Sequence, residues 1–459
     1  MNQTFIGMGE IVNAFMYNIV KGQLVQCRFL AAIRAEIIGF RMHDSAILAN
    51  GFHNVCLLQY TNSCYFQNHT CRFSTFATML RFPRTLQDKL DRRKENFALR
   101  QLPVFNNLID FSSNDYIGFA QSEALYHETH NYLIAKGWLQ NGATGSRLIS
   151  GNHLVYTETE AFLARFHQSE SALLFNSGYD ANVGFFSAVP QRSDIILYDE
   201  LAHASIRDGI KMSHSKSYKF GHNDLEDLES LIQKHQSAST QVYIVTESVF
   251  SMDGDSPDLE KLVAVSEKYN CLTVIDEAHA LGVFGNHGEG LIQDLQLQQK
   301  IFARIMTFGK GLGCHGAVVL GSEELKQYLV NFARSFIYTT GLPPHSVASI
   351  LTAYKQLEKG NDATEKLREN ILVFNQYKNS LGLKPIFVRN KSAIQSAIIP
   401  GNEKARAVAS QLQQNGFDVK AILSPTVPEG QERLRICLHS FNTEGQIREL
   451  LQSLQALLF

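Results

Sequence analysis

A lysine stands among glycines in the stretch TFGKGLG, which follows the apolar run Ile301–Met306. The apolar run predicts a buried strand, so Lys310 would lie at the end of a strand where solvent is scarce. An amine in such a place has a lowered pKa and becomes a nucleophile. The adjacent glycines are expected to leave room for a bulky group on this amine: Gly309, Gly311 and Gly313.

A carboxylate occupies a similar position in the stretch CLTVIDEAHALG. Asp276 follows the apolar run Leu272–Ile275, and His279 comes three residues later. A carboxylate at a buried strand end needs a cationic partner. A helix N-cap and a metal ligand are the alternatives. Because the sequence supplies no third and fourth ligand at matching spacing, we expect no metal.

A third motif, LLFNSGYDAN, predicts a strand, a turn and the start of a helix. The first turn of a helix offers free N–H groups that suit a phosphate, although an ordinary strand-to-helix turn would show the same pattern. A Schiff-base lysine, a carboxylate for a pyridinium nitrogen and a phosphate cradle are together the components of a pyridoxal phosphate (PLP) site. The competing Walker-type motif fails because the sequence GKGLG lacks its layout.

Two histidines remain open at this stage. His203 lies in DELAHASIRDG and His222 in FGHNDLEDLE. A single histidine is more often structural than catalytic, and spacing does not decide between these two.

The elements that must position these residues are apolar runs alternating with helical stretches. Helices are expected at Thr85–Leu99, Leu225–His235 and Leu259–Tyr269. Their alternation with strands predicts an α/β fold, a mostly parallel sheet with helices on both faces. The predicted strands are Ala172–Phe175, Asp194–Tyr198, Gln241–Thr246, Leu272–Ile275 and Ile301–Thr307, with a short strand at the start of Leu108–Phe119.

The pattern changes near Ala353, which predicts a separate, smaller α+β domain. We expect a long helix at Tyr354–Leu381, strands near Ile394–Ile399 and Arg433–Leu438, and a last helix opened by a capping box in TEGQ. The predicted organisation is residues 1–78 as an extension, 79–122 as a helix and strand segment, 123–353 as the large domain and 354–459 as the small one.

Composition limits the classes of function. The chain has 459 residues, a net charge of −2 and 44% hydrophobic residues, so nothing indicates a nucleic-acid surface and the core is large. No run of apolar residues is long enough to span a membrane. The seven cysteines include no pair of the metal-binding type, which favours a reduced, cytoplasmic enzyme.

The first 78 residues have a different texture. Four of the seven cysteines fall there, without a clear helix or strand period. We expect a segment that is either disordered or not part of the working enzyme, with Met79 as the natural start. Peptides from residues before Met79, found by mass spectrometry of the native protein, would contradict this hypothesis.

From Leu86 to the C-terminus the sequence resembles the α-oxoamine synthases, a family of fold-type I PLP enzymes. The resemblance rests on ordered motifs: FSSNDYIGF, GSRLISGNH, NSGYDAN, DELAHASI, GHNDLEDLE, TESVFSMDGD, DEAHALGVFG, TFGKGLG, RSFIYTTGLPP and RLRICL. It implies a large PLP-binding domain, a smaller C-terminal domain and a homodimer with shared active sites.

The resemblance also implies roles for residues. Lys310 would hold PLP as a Schiff base, Asp276 would pair with the pyridine nitrogen and His203 would stack on the ring. The other cofactor residues would be Gly178, Tyr179, Ser251, His279, Thr307 and, reaching the partner subunit's phosphate, Thr340. Arg435 would bind the amino-acid carboxylate, and the further substrate contacts would be Arg100, Asn114 and Thr426.

The implied reaction is a decarboxylating condensation of an amino acid with an acyl thioester. The motifs are most similar to those of the branch that joins L-alanine to pimeloyl-CoA or a pimeloyl carrier protein in biotin biosynthesis. The alternatives are glycine with acetyl-CoA, serine with a long acyl thioester, or a non-catalytic partner subunit, which the intact Lys310 disfavours. The chain departs from the family at Glu277 and at Cys314-His315, where the histidine would either alter the acyl pocket or point away.

Overall fold

The computed structural model describes residues 64–66, 69–71, 82–96, 98–100, 102, 107–237, 239–360 and 362–459. The proposed start at Met79 and most of the first 78 residues lie outside these ranges. The chain divides into two compact units, residues 1–91 and 92–459. In the first unit, strands β1 (Cys64–Phe66) and β2 (His69–Cys71) pair antiparallel.

The second unit is built on a seven-stranded sheet. Its strands, in chain order, are β4 (Ser171–Phe175), β5 (Ile195–Asp199), β6 (Lys216–Phe220), β7 (Val242–Glu247), β8 (Leu272–Asp276), β9 (Ala303–Thr307) and β10 (Ala317–Gly321). The spatial order is β4-β10-β9-β8-β7-β5-β6. Neighbours from β9 to β6 run parallel, whereas β10 pairs antiparallel with both β4 and β9. The carboxyl ends of the parallel strands therefore meet at one edge.

Two smaller sheets complete the strands. One is a two-residue parallel pair of β3 (Ile109–Asp110) with β12 (Phe417–Asp418), and the other has the order β11-β14-β13. The latter contains β11 (Ile394–Ile398), β13 (Lys420–Ile422) and β14 (Arg433–Cys437), all antiparallel. This three-stranded sheet with its helices is the smaller α+β part of the fold.

Helices cover both faces of the large sheet, so its central strands read as continuous apolar runs. Strand β7, for example, is buried at every position. In the described part of the chain, none of the helices has both the length and the hydropathy needed to cross a membrane. The helices are α1 (Arg84–Glu95), α2 (Glu123–Lys136), α3 (Leu154–Phe166), α4 (Gly178–Ala188), α5 (Ala204–Met212), α6 (Leu225–His235), α7 (Leu259–Lys268), α8 (Leu291–Asp294), α9 (Glu323–Phe332), α10 (Arg334–Ile337), α11 (Pro344–Glu358), α12 (Asp362–Ser380), α13 (Asn402–Gln414) and α14 (Glu444–Leu458).

The expected α/β class is confirmed, and each predicted strand is present within two residues of its predicted ends. The capping box is also present: Thr443 accepts from the Gln446 N–H, and the Gln446 side chain accepts from the Thr443 N–H. The prediction of a single long helix at Tyr354–Leu381 is wrong. Helix α11 ends at Glu358, because Gly360 adopts a left-handed backbone with φ of +79°, and α12 starts afresh.

Next to the site, a buried ion pair joins two strand ends. Glu277 is fully buried, and its Oε2 lies 3.2 Å from Nε of Arg304 on β9. Glu277 also accepts the Ile292 N–H through Oε1, and Arg304 donates to the His167 carbonyl. A glutamate after Asp276 therefore has a defined partner on the far side from the cleft, since adjacent residues along a strand point to opposite faces.

We expect Arg304→Met to lower the free energy of unfolding by about 3–5 kcal/mol, because it leaves a buried carboxylate without its partner. Urea denaturation of the two proteins measures this difference. Lys300→Met is the matched control, since its pair with Glu267 is solvent-exposed and a similar loss there would contradict the prediction.

Candidate active site

The strand ends of the large sheet set the floor of a cleft. Glu247 of β7 is level with Asp276 of β8, which is in turn level with Ile305 of β9. Lys310 follows β9 in a turn over this edge. The cleft has a volume of about 280 Å³ and is lined by Ser112, Asn114, His203, Ser251, Met252, His279, Lys310, Lys420, Ile422 and Arg435.

The Lys310 amine is part of a chain of polar groups. Its Nζ lies 2.9 Å from His279 Nε2, and His279 Nδ1 lies 2.7 Å from the Tyr116 hydroxyl. Tyr116 donates to Asn114 Oδ1 at 3.1 Å. Burial lowers the pKa of Lys310, and burial together with the charge of Lys310 lowers the pKa of His279 well below its usual value. The amine is therefore disposed to lose its proton and act as a nucleophile or base.

Asp276 is 5% exposed and held on both oxygens. Its Oδ2 accepts from Asn182 Nδ2 of α4 at 2.8 Å, and its Oδ1 accepts the Ala278 N–H at 2.9 Å. These donors fix the direction of the carboxylate. Such a carboxylate suits a ring nitrogen that must stay protonated.

His203 is the N-cap of α5. Its Nδ1 lies 2.7 Å from the Ser205 hydroxyl, and its backbone N–H donates to Glu247 Oε1 at 2.7 Å. Burial, together with the charge of Asp276, raises the pKa of the Glu247 carboxyl to about 8. The Ser205 hydroxyl therefore orients the imidazole, and Glu247, which sequence inspection did not single out, holds the backbone of His203.

The start of helix α4 fits a phosphate. A Cβ placed on Gly178 would lie 2.4 Å from Thr307 Oγ1, so only a glycine allows the helix end and β9 to come this close. The backbone N–H groups of the first helical turn lack partners within the helix. Thr307 and this turn are thus brought together, as the motifs predict. Tyr179 is about half exposed, and its hydroxyl donates to Asp208 at 3.0 Å.

The sequence predicted that the glycines around Lys310 leave open space for a bulky group. The structure gives a different reason for two of them. A Cβ on Gly311 would lie 2.3 Å from the Leu281 carbonyl oxygen, and one on Gly313 would lie 2.1 Å from the Ala120 N atom. Gly313 also has a φ of +64°. These two residues are glycines because backbone packs against them, so only Gly309 is exposed and uncrowded.

Arg435 enters the cleft from β14 of the small sheet. Its Nε donates to the Ser251 carbonyl at 2.7 Å and its Nη2 donates to Asn114 Oδ1 at 2.9 Å. Two loops therefore hold the guanidinium in place, and its planar fork suits a carboxylate.

Besides Asp276 and the phosphate residues described above, three more predicted residues are not among those that line this cleft. Arg100 and Thr426 line a second cavity of about 180 Å³, which shares Ile422 with the cleft. The second cavity, called here the arginine cavity, is lined by Arg93, Ala98, Leu99, Arg100, Arg406, Ala421, Ile422, Leu423, Ser424, Pro425 and Thr426. Thr340 is exposed, and its carbonyl accepts from Asn176 Nδ2.

The other two departures from the family, Cys314 and His315, lie away from the cleft. Cys314 packs on the hydrophobic core, and burial raises the pKa of its thiol to about 12. His315 is exposed. Neither is among the described side chains that line the cleft or the arginine cavity.

Sequence reasoning missed several polar and apolar residues of the site. Tyr116 and Asn182 lie inside quoted motifs, yet a tyrosine or asparagine in a turn carries no sign of a buried partner far along the chain. Met252 and Ile422 are ordinary apolar residues in sequence. Only the fold brings these four residues to the Lys310 edge.

The chain matches known proteins along most of its length. The family model for aminotransferase class I and II matches residues 106–454. The 8-amino-7-oxononanoate synthase of Emericella nidulans is 39% identical over 81% of this chain and 94% of its own. A protein of Halalkalibacterium halodurans, named putative 8-amino-7-oxononanoate synthase, is 36% identical over 81% and 95%.

Solved structures of related enzymes share the fold of this chain. A serine palmitoyltransferase from S. paucimobilis with a bound PLP–myriocin aldimine superposes with a TM-score of 0.73 and 26% identity, covering 81% of this chain and 96% of that one. The 8-amino-7-oxononanoate synthase of Francisella tularensis superposes with a TM-score of 0.65 and 31% identity, covering 76% and 97%.

The fold and the edge that carries Lys310 and Asp276 define a fold-type I PLP-dependent transferase, and the chain belongs to the aminotransferase class I and II family. Within it, the relatives are α-oxoamine synthases, and this chain is similar to 8-amino-7-oxononanoate synthase. It is a PLP-dependent acyltransferase.

We expect Lys310→Ala to lose both turnover and the visible absorbance of covalently held PLP. Among the described residues that line the cleft, the one other amine is that of Lys420, which lies on β13 of the small sheet. Absorbance spectra of the purified proteins after removal of free PLP measure this. Lys261→Ala, on an exposed surface pair with Asp258, should keep both signals. Full turnover by the Lys310 variant would overturn the assignment.

Proposed function

We propose that this protein condenses L-alanine with a pimeloyl thioester to give 8-amino-7-oxononanoate, a free thiol and CO2. The relatives named for this product support the proposal. The product itself defines the substrates, since its amino-bearing end is alanine without its carboxylate and the remainder is a dicarboxylic acyl chain. The new bond joins the alanine Cα to the acyl carbon, the carbon–sulfur bond breaks, and the alanine carboxylate leaves as CO2.

The observation that carries the proposal is the arginine cavity. Arg93, Arg100 and Arg406 line one small space, and Ile422 lines both this space and the cleft. Guanidinium groups suit carboxylates. We propose that an acyl donor with a carboxylate at its far end extends from the cleft past Ile422 into this space, whereas acetyl and long alkyl donors bring no such charge. The cavity therefore favours pimeloyl over the glycine and serine alternatives.

Side chains in the cleft provide the other steps. We assign Arg435 to the alanine carboxylate, and Lys310 to the removal of the Cα proton, which the lowered pKa of its amine favours. His279 lies at hydrogen-bond distance from that amine and can share its proton. When bound, PLP supplies the electron sink that makes the Cα proton removable.

The residues that would hold PLP follow from the same geometry. Asp276 would bind its ring nitrogen, and His203 would cover one face of the ring. The first turn of α4 with Thr307 would take the phosphate, and Ser251 and His279 would bind the phenolic oxygen. Tyr179 and Thr340 are assigned to the phosphate region, Thr340 across a subunit boundary.

Thiol release by the purified protein tests this function. We expect release with L-alanine and pimeloyl-CoA, and little with glycine and acetyl-CoA. Heptanoyl-CoA, which lacks the terminal carboxylate, should react at least tenfold less efficiently, as expected for the loss of a charge-assisted contact of about 1.5–3 kcal/mol. Release only with glycine and acetyl-CoA would move the protein to another branch of the family. A pimeloyl carrier protein is the second donor to be tried.

Arg406→Met should lower kcat/KM for pimeloyl-CoA about tenfold and leave heptanoyl-CoA nearly unchanged, because only the first donor presents a carboxylate. The exposed Arg389 provides a matched control through Arg389→Met. Equal losses with both donors would show that Arg406 acts on the fold and not on the acyl chain.

We also propose a homodimer. The segment between α2 and α3 exposes large apolar side chains, with Ile149 87% exposed, and Thr340 is exposed as well. A second copy of this chain would cover such side chains. The others in this segment and at the start of α3 are Leu139, Leu148 and Leu154.

Ile149→Asp should shift the protein from dimer toward monomer in sedimentation velocity, since it places a charge in a buried apolar contact. The matched control is Leu372→Asp, at a similarly exposed position on α12. A wild-type protein that sediments as a monomer would refute the homodimer.

A further inference from the structure

One histidine has no part in the reaction described above. His222 follows β6 in the motif GHNDLEDLE, and it is 22% exposed on its side chain. Its Nδ1 lies 2.9 Å from Asp199 Oδ1, and its Nε2 lies 2.8 Å from Asp255 Oδ2. Its ring packs edge-on against Phe250 at 4.5 Å between centroids. The side chain thus bridges two carboxylates from separate segments.

Hydrogen-bond counting fixes the charge of this imidazole. An ionised carboxylate can only accept, so both ring nitrogens carry protons when each donates to its carboxylate. The Asn223 amide nitrogen also lies 3.2 Å from Nε2 and donates to Asp255 Oδ2 at 2.8 Å. Burial lowers the pKa of His222, but the hydrogen bonds to Asp199 and Asp255 outweigh it and raise the pKa to about 10. The other charged group facing it is Glu200, which accepts the His222 N–H at 3.4 Å and pairs with Lys219.

Each carboxylate belongs to a segment that reaches the cleft. Asp199 ends β5 and is fully buried, and it also accepts the Leu201 N–H at 2.8 Å. It thereby fixes the short segment that leads to His203. No side chain of this segment other than His203 lines the described cleft.

Asp255 ends the second segment, a turn of residues 250–255 that is closed by backbone hydrogen bonds. Its carbonyl accepts the Phe250 N–H at 3.0 Å, and the Gly254 N–H donates back to the Phe250 carbonyl at 2.9 Å. The turn formed by residues 250–255 carries Ser251, whose carbonyl holds Arg435 Nε. The position of this turn therefore sets the position of the guanidinium.

We infer that His222 is a positioning residue, a permanent imidazolium that joins the β5 end before His203 to the Ser251 turn that orients Arg435. The inference deepens the proposed function, since it rests on Arg435 as the site for the amino-acid carboxylate. It predicts that loss of the bridge weakens amino-acid binding more than it slows the chemistry.

The first experiment titrates the PLP-loaded His222→Gln protein with L-alanine and follows the visible absorbance of the cofactor. The apparent dissociation constant should rise about tenfold, a typical size for coupling through an intervening contact, while kcat falls less. His214→Gln, on an exposed residue just before β6, should behave as wild type. An unchanged dissociation constant in the His222 variant would overturn the inference.

A double-variant cycle separates the bridge from a local effect. If His222 acts through Asp255, the combination of His222→Gln with Asp255→Asn should be little worse than either change alone. Additive effects on the L-alanine dissociation constant would contradict the bridge.

A stability measurement tests the bridge without substrate. A histidine with a folded-state pKa of about 10 and an ordinary value of 6.5 contributes stability that is complete below pH 6.5 and lost as the pH rises through about 10. The gap between the urea midpoints of wild type and His222→Gln should thus be widest near pH 6 and shrink toward about pH 10. A gap independent of pH would overturn the charged bridge. If wild type fails to bind L-alanine, the proposed function fails, and this measurement still decides the bridge.

Discussion

The register of the parallel strands β7, β8 and β9 is the constraint on which the site depends. Because these strands run in the same direction, their carboxyl ends meet at one edge, and Glu247, Asp276 and the turn with Lys310 come together there. A shift of one residue would send Asp276 to the opposite face of the sheet. The cleft is thus a consequence of how the sheet is ordered, and the helices that follow each strand only complete it.

Two carboxyl groups, those of Asp276 and Glu277, follow one another at the end of β8 and have different partners. Asp276 faces the cleft and is held by Asn182, whereas Glu277 faces the other side and meets Arg304. Both carboxyl groups are buried, and each has a polar partner at short distance. The longer side chain at 277 reaches an arginine on the neighbouring strand, which gives the departure from the usual aspartate a structural reason.

The cleft is also a junction between two sheets. Arg435 comes from the small sheet, and it is held by the Ser251 turn beyond β7 and by Asn114 near the start of the second unit. A movement of either support would displace the guanidinium of Arg435. The distance between the Ser251 turn and the end of β5 therefore affects where the guanidinium lies. The His222 bridge lies at that point.

The sequence by itself determined the class of fold, because buried parallel strands appear as short apolar runs between helical stretches. Lys310, Asp276 and the NSGYDAN turn each follow such a run in the sequence, and this placement is the basis on which their cofactor roles are proposed. The sequence misjudged the helix break at Gly360 and the reason for Gly311 and Gly313, since a turn and a close backbone approach depend on what packs nearby.

Only the tertiary structure decided which distant residues meet. Tyr116 joins His279 across 163 positions, Arg435 reaches Ser251, and Ile422 lines both the cleft and the arginine cavity. It also separated two histidines that spacing alone left equivalent, with His203 in the cleft and His222 between two carboxylates. The physical reason is that periodicity along a chain reports which residues are buried, whereas contacts between distant residues follow from strand order and packing.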